Sequence, residues 1–248
     1  MPPERSPQEL RPLAITRGYM DSAEGSVLIE AGKTRVICTA SVEKSAPAWM
    51  AGKGTGWITA EYGMLPRSTS TRKPRDSARG RADARALEIG RIIGRSMRQM
   101  VDLVALGEKT VVIDCDVVGA DGGTRCAAVT GACVALIDAL EWMRTRGMVG
   151  WIPAKFLVAA VSVGIVDGRP ALDLDYSLDS RADVDMNVVM DSRGKLIELQ
   201  GTAEREPFGR AELSELLDLA ENGIKKIFEI QRRALGAEIV AQIESAAV

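Results

Sequence analysis

From Arg125 to Met143 the chain is apolar around most of a helical circumference, with Ala128, Val129, Ala132, Cys133, Leu136, Ile137 and Leu140 spread over its faces. A helix apolar on all sides has to be covered on all sides. The fold must therefore place packed layers on both flanks of this segment. The preceding residues supply one layer: 26 to 42 are two β-branched runs about Gly32-Lys33 and predict a hairpin, and 56 to 63 and 110 to 118 predict further strands. In the last of these, Asp114 and Asp116 share one face. Between them, the apolar positions Ala82, Ala86, Ile89, Ile93, Met97, Val101 and Val104 recur at spacings of three and four and predict one helix from Arg81 to about Leu106.

The second layer comes after Gly147 to Pro153, a plausible boundary. Strands are predicted at 156 to 166, near 171 to 175, at 183 to 190 and at 195 to 200, followed by an amphipathic helix from about Arg210 to Leu235 with a break expected at Asn222-Gly223. Strands followed by helix thus occur twice, a hint of internal duplication without a residue-level repeat. The class is α/β, and 248 residues with 46% hydrophobic side chains suffice for one large or two modest domains.

Absences narrow the chemistry. The chain has no histidine, which excludes Ser-His-Asp and Cys-His hydrolysis and leaves Asp, Glu, Lys or Tyr as acid or base. Its four cysteines, at 38, 115, 126 and 133, form no C-x-x-C pair, so a zinc site lacks ligands and reduced core thiols are expected. Gly32-Lys33-Thr34 fails as a nucleotide P-loop because Val27 stands where the motif needs glycine, and Pro47 fails Gly52-Lys53 in the same way. No stretch is read as reaching the roughly 20 apolar residues of a membrane span, and Met1 to Leu13 has no apolar core of a signal peptide. A cytoplasmic protein without membrane contact is expected.

Charge is distributed unevenly. The window 67 to 98 holds ten Arg or Lys against three acids, a local +7 in a chain of net charge −2. These are Arg67, Arg72, Lys73, Arg75, Arg79, Arg81, Arg85, Arg91, Arg95 and Arg98, facing Asp76, Asp83 and Glu88. Such clustering suits a polyanion, although for Arg95 and Arg98 a solvated, ion-paired helix face is an equal reading. Asp121-Gly122-Gly123-Thr124-Arg125 lies at a strand-to-helix junction, where glycines admit an anion to free N–H groups, Thr124 can cap and Arg125 can grip two phosphate oxygens. A tight turn with a capped helix is the competing reading. Later, strand alternation puts Asp183, Asp185 and Asn187 on one face, with Asp179 in the turn before it, a set suited to Mg²⁺ completed by water and substrate phosphate. The alternative is a merely exposed polar strand face.

Five strings then carry a family resemblance: Gly-Trp-Ile-Thr-Ala-Glu-Tyr-Gly-Met-Leu-Pro-Arg (56 to 67), Asp-Gly-Gly-Thr-Arg (121 to 125), Thr-Gly-Ala-Cys-Val-Ala-Leu (130 to 136), Asp-Val-Asp-Met-Asn-Val-Val-Met (183 to 190) and Gly-Thr-Ala-Glu (201 to 204). Together they resemble bacterial ribonuclease PH, in one register from about Arg11 to Leu235. The resemblance implies the ribonuclease PH-type α/β (α+β) fold, with a core domain over 11 to 147, a second subdomain over 154 to 235 and a short tail from 236 to 248. It implies a phosphate-dependent 3′ to 5′ exoribonuclease, or tRNA nucleotidyltransferase, that trims tRNA precursors and other RNA 3′ ends, releases nucleoside diphosphates reversibly, and assembles as a homohexamer, a trimer of dimers. By position, Arg85, Gly123, Thr124 and Arg125 would bind inorganic phosphate, Asp179 and Asp185 would serve catalysis and Mg²⁺ (or Mn²⁺), and Arg67, Arg72 and Arg75 would hold the tRNA acceptor stem. Leu178 and Arg181 depart from the family pattern around Asp179. The rivals are a non-catalytic RNA-channel subunit of an exosome-like ring and a hydrolytic Mg²⁺-dependent exonuclease.

Overall fold

The computed structural model describes residues 5 to 75, 78, 80, 81 and 83 to 245. Asp76, Arg79 and Ala82 of the basic window and apolar stripe, and the Ala-Ala-Val end of the tail, lie outside the described residues. Nine strands form two sheets among the described residues. The first contains β1 (Leu13–Arg17), β2 (Gly25–Ala31), β3 (Thr34–Glu43), β4 (Trp57–Met64) and β5 (Thr110–Gly119), in the order β1-β2-β3-β5-β4. Its pairs are antiparallel except β4 with β5. The second contains β6 (Val158–Val166), β7 (Arg169–Leu172), β8 (Val184–Asp191) and β9 (Leu196–Ala203), in the order β7-β6-β8-β9, and is antiparallel throughout. The hairpin about Gly32-Lys33 forms as the residues predict, while β1, five residues long, was not anticipated.

The described chain also contains the helices α1 (Ala84–Met100), α2 (Leu103–Leu106), α3 (Thr124–Thr145), α4 (Tyr176–Asp179), α5 (Arg210–Leu235) and α6 (Ala237–Ser245), and a 3-10 turn at Ala48–Met50. Helix α3 is the all-round apolar segment, buried along its length between the sheets. Gly131 lets it approach the first sheet: a Cβ there would lie 2.7 Å from Cys38 Sγ and 2.9 Å from Ile29 Cγ2. On the other flank, Val158 N–H of β6 donates to Cys133 Sγ at 3.3 Å and Ala160 N–H to Thr130 Oγ1 at 3.2 Å. Gln231 of α5, fully buried, donates to the carbonyls of both Thr130 and Val158, so one side chain ties α3, β6 and α5 together. Among the described residues one large hydrophobic cluster runs through both sheets, with a smaller one formed by Val166, Ala171, Leu174 and Ala182.

Three expectations are corrected. The helix predicted to Leu106 stops at Met100: Val101 bridges to Ala154, and Asp102 caps a new turn by accepting from the N–H groups of Val104 and Ala105, which leaves Val104 68% exposed. The break expected at Asn222-Gly223 is absent, because Gly223 sits inside α5 as a close-packing site, its would-be Cβ 2.8 Å from Leu172 Cδ1. Finally, α3 does have a membrane span's length and hydropathy, 22 residues at a mean of 1.5, but 83% of that window is buried within the protein. Core burial accounts for its composition.

Candidate active site

The turn before α3 is shaped by glycine. Gly122 and Gly123 have φ of 74° and 65°, a left-handed backbone that side chains disfavour. A Cβ on Gly122 would lie 2.5 Å from Leu174 O, so the turn also packs too closely for any other residue. Thr34 fastens it, its hydroxyl donating to Gly122 O and accepting from Asp121 N–H. Behind it lies a buried ion pair. Arg11 donates to both carboxylate oxygens of Asp173 at 3.0 and 2.6 Å, and to Asp121 O at 2.5 Å. Nothing in the sequence singled out Arg11 and Asp173, which are 162 residues apart.

Thr124 does not cap α3. Gly123 is the N-cap and supplies no side chain, while the Thr124 hydroxyl accepts from the buried Tyr62 hydroxyl at 2.8 Å. The first-turn N–H groups of a 22-residue helix therefore face the cleft without a side-chain cap, an arrangement favourable to an anion.

That cleft, about 450 Å³, is where the predicted residues meet. Arg85 enters from the first turn of α1, Gly123, Thr124 and Arg125 from the start of α3, Asp179 from the end of α4, and Asp185 with Asn187 from β8. All six residues expected to serve phosphate binding and catalysis line it. The alternation along β8 holds, with Val184, Met186 and Val188 buried and Asp185 and Asn187 half-buried on the opposite face. Asp183 is a correction: it precedes the strand, pairs with Arg205 at 3.6 Å and does not line the cleft. Sequence reasoning assigned no role to Ser162, Glu204 or Arg205, which do line it. The β8–β9 register explains two of them, since pairing Val184 with Ala203 carries Glu204 and Arg205 to the mouth of the site.

The electrostatics follow from this crowding. Burial pushes the Asp185 carboxyl above the usual range, neighbouring Asp179 and Glu204 push it further, and Arg125 and Arg85 pull it back. Asp179 is raised by burial and by Glu204, again against the pull of Arg85 and Arg125. Two carboxylates whose proton affinity is raised by burial and by neighbouring acids fit a divalent cation held through few protein oxygens. Among the described residues no cluster of three His, Cys, Asp or Glu forms a protein-only metal cage.

The three arginines expected at the acceptor stem are not placed alike. Arg75 lines a second recess with Tyr62, Lys73, Asp83 and Arg85, and Arg85 also lines the main cleft, so the two adjoin. Arg67 and Arg72 are exposed and line neither, and Lys73 pairs with Asp83 at 3.3 Å. On α1, Arg95 pairs with Glu198, while Arg98 donates to Ile58 O and lies over the Trp57 ring at 4.5 Å. Arg95 thus lies on a solvated, ion-paired face, whereas Arg98 does not: it is half-buried and packs against Trp57.

The fold is shared with solved structures. Rice (Oryza sativa) Rrp46 is similar with a TM-score of 0.76 at 19% identity, over 93% of this chain and 97% of that one. A structure of the Archaeoglobus fulgidus exosome with RNA bound to its active site gives 0.78 at 22% identity, over 92% of this chain and 91% of that one. An archaeal exosome core gives 0.71 at 21%, over 92% and 90%. The likeness extends to these exosome proteins and does not single out bacterial ribonuclease PH. Residues 9–140 match the model for domain 1 of the 3′ exoribonuclease family, and residues 157–223 match that for domain 2. With both domains matched in order over most of its length, the chain belongs to the 3′ exoribonuclease family.

Proposed function

We propose that this chain is a phosphate-dependent 3′ to 5′ exoribonuclease of the ribonuclease PH type, acting on tRNA precursors and other RNA 3′ ends. The observation that carries this reading is one cleft in which Arg85, Arg125 and the uncapped start of α3 face Asp179 and Asp185. A hydrolytic nuclease needs the carboxylates but has no use for the cradle.

Inorganic phosphate sits at the N-terminus of α3, gripped by Arg125 and Arg85, in line with the last phosphodiester. Its oxygen attacks that phosphorus, the bond to the 3′ oxygen of the preceding nucleotide breaks, and the products are a nucleoside 5′-diphosphate and an RNA one residue shorter. Positioning and charge stabilisation carry most of the rate. Asp179 and Asp185 would hold Mg²⁺, or Mn²⁺, which when bound offsets charge building on the phosphoryl oxygens. The leaving 3′ oxygen takes its proton from an acid in the cleft, either a water or Asp185, whose proton affinity its surroundings raise and which can serve only when it is not holding the cation. Because an anhydride replaces a diester, the reaction runs in reverse when diphosphates are in excess.

The exposed Arg67, Arg72 and Arg75 receive the acceptor stem through its phosphates, without reading its sequence. The working particle is a cytoplasmic homohexamer, a trimer of dimers, each chain contributing units 11 to 147 and 154 to 235 with a tail after them.

The test is incubation with a 3′-extended tRNA and Mg²⁺, with and without inorganic phosphate, followed by identification of the released nucleotides. Diphosphates formed only with phosphate support the proposal. Monophosphates formed without phosphate would identify a hydrolase, and binding without release would identify a non-catalytic ring subunit.

A further inference from the structure

Arg125 does not reach the cleft unsupported. Its Nη1 donates to Gln200 Oε1 of β9, and Gln200 Nε2 donates in turn to Glu88 Oε1 of α1 at 2.7 Å. Three elements, α3, β9 and α1, thus meet in one chain of hydrogen bonds. A second rung between α1 and β9, Arg95 with Glu198 at 3.2 Å, fixes the helix against the same strand two residues away. Gln200 lies directly across from Asn187 in the β8–β9 ladder, so the relay shares the strand face that carries Asp185.

The chemistry of the link dictates its orientation. Arginine has only donors and an ionised glutamate only acceptors, so a side chain joining them must accept at one end and donate at the other. The amide of glutamine does this, and the Gln200 orientation therefore follows from its partners. The link is also neutral. A carboxylate placed against Arg125 would align it equally well but would offset its charge, whereas an amide aligns it and leaves that charge for an anion. One Arg125 N–H is committed to Gln200, and among the described residues no other side chain is seen to take the remaining four.

We infer that Gln200 and Glu88 are positioning residues that hold the Arg125 guanidinium in the orientation needed to grip inorganic phosphate, through an uncharged bridge that preserves its charge. The inference rests on the phosphate-clamp reading of Arg125 and extends it to two residues outside the clamp. It also couples the two arginines of the site, because Glu88 lies one turn along α1 from Arg85.

The experiment is calorimetric titration of the full chain with inorganic phosphate, alongside melting temperature, RNA affinity without phosphate, and steady-state phosphate KM. Gln200→Ala is expected to weaken phosphate binding and raise its KM by about tenfold, the scale of one hydrogen bond to a charged group, with melting temperature and RNA affinity unchanged. Gln200→Glu keeps the length but places a carboxylate beside both Arg125 and Glu88, and is expected to weaken phosphate binding as well. Glu88→Gln retains an acceptor and is expected to stay near wild type, with Glu88→Ala clearly weaker. Phosphate affinity unchanged in Gln200→Ala, or tight binding in Gln200→Glu, overturns the inference, as does a loss that merely tracks a falling melting temperature. The functional reading fails separately, if wild type binds phosphate yet releases no diphosphate. In that case the calorimetry still decides whether Gln200 orients the clamp.

Discussion

Arg125 is the residue on which the phosphate reading turns. Arg125→Ala removes a cation from a site where charge builds during reaction, and phosphorolysis is expected to fall by about 10²-fold or more while the circular dichroism spectrum and melting temperature persist. An unchanged rate would remove the cradle from the mechanism. The carboxylates give a prediction in pH. Burial raises the Asp185 proton affinity, so the native state holds that proton more tightly than the unfolded chain does. Stability from this group is therefore lost as pH rises from the ordinary carboxylate range through the raised value. Asp185→Asn should then melt higher than wild type near neutral pH, with the difference vanishing in acid below the ordinary range, even as activity is lost. Equal melting temperatures throughout would show that the carboxylate carries no burial penalty. Protons and Mg²⁺ would compete for the same oxygens, so Mg²⁺ affinity measured by titration should fall as pH is lowered through that raised range. Arg125 and Asp185 were legible because each lies in a short contiguous string, and Asp179 because it stands in the turn just before the acidic strand. Arg11, Asp173 and Gln200 were not, since each acts on a partner distant in sequence.

At the scale of elements, periodicity located most of the strands and helices but misjudged two helix features that tertiary contacts decide. Apolar spacing continues past Met100, yet the backbone there is claimed by Pro153, Ala154 and Lys155: Asp102 N–H donates to Pro153 O and Lys155 N–H to Met100 O. Gly223 looks like a helix stop in sequence and is instead a contact point. The glycines can be ranked by what a methyl group would meet. Gly131→Ala drives a Cβ against Cys38 and Ile29 in a packed core, and is expected to cost about 1–3 kcal/mol of overpacking, more than the ~1 kcal/mol of helix propensity gained. At Gly223 the would-be methyl meets only the side chain of Leu172, and the ~1 kcal/mol of helix propensity gained offsets the shift asked of it, so Gly223→Ala is expected to cost less than Gly131→Ala. Chemical denaturation of the two variants checks the order, and a Gly223 variant less stable than the Gly131 one would refute this account of the helix packing.

For the whole molecule, the two sheets cohere through α3, and Gln231 is one of the polar fastenings within that contact, beside the bonds to Cys133 and Thr130. Gln231→Ala strips the carbonyls of Thr130 and Val158 of a buried donor and is expected to cost about 1–3 kcal/mol, read as a lower denaturation midpoint. A variant as stable as wild type would show that the apolar packing suffices. The proposed hexamer is checked by light scattering, where a monomeric mass would contradict it. Taken alone, the sequence determined that a central helix is sandwiched, that two groups of strands flank it, and that a glycine turn opens onto that helix and an acid-bearing strand follows, because each of these is written in local periodicity or a short string. Only the tertiary structure decided that Arg85, the start of α3, Asp179 and Asp185 share one cleft, and that Arg11–Asp173 and Glu88–Gln200 support it. Those meetings depend on strand register and on the packing of α1 and α3 against the two sheets, which bring together residues that no local pattern along the chain relates.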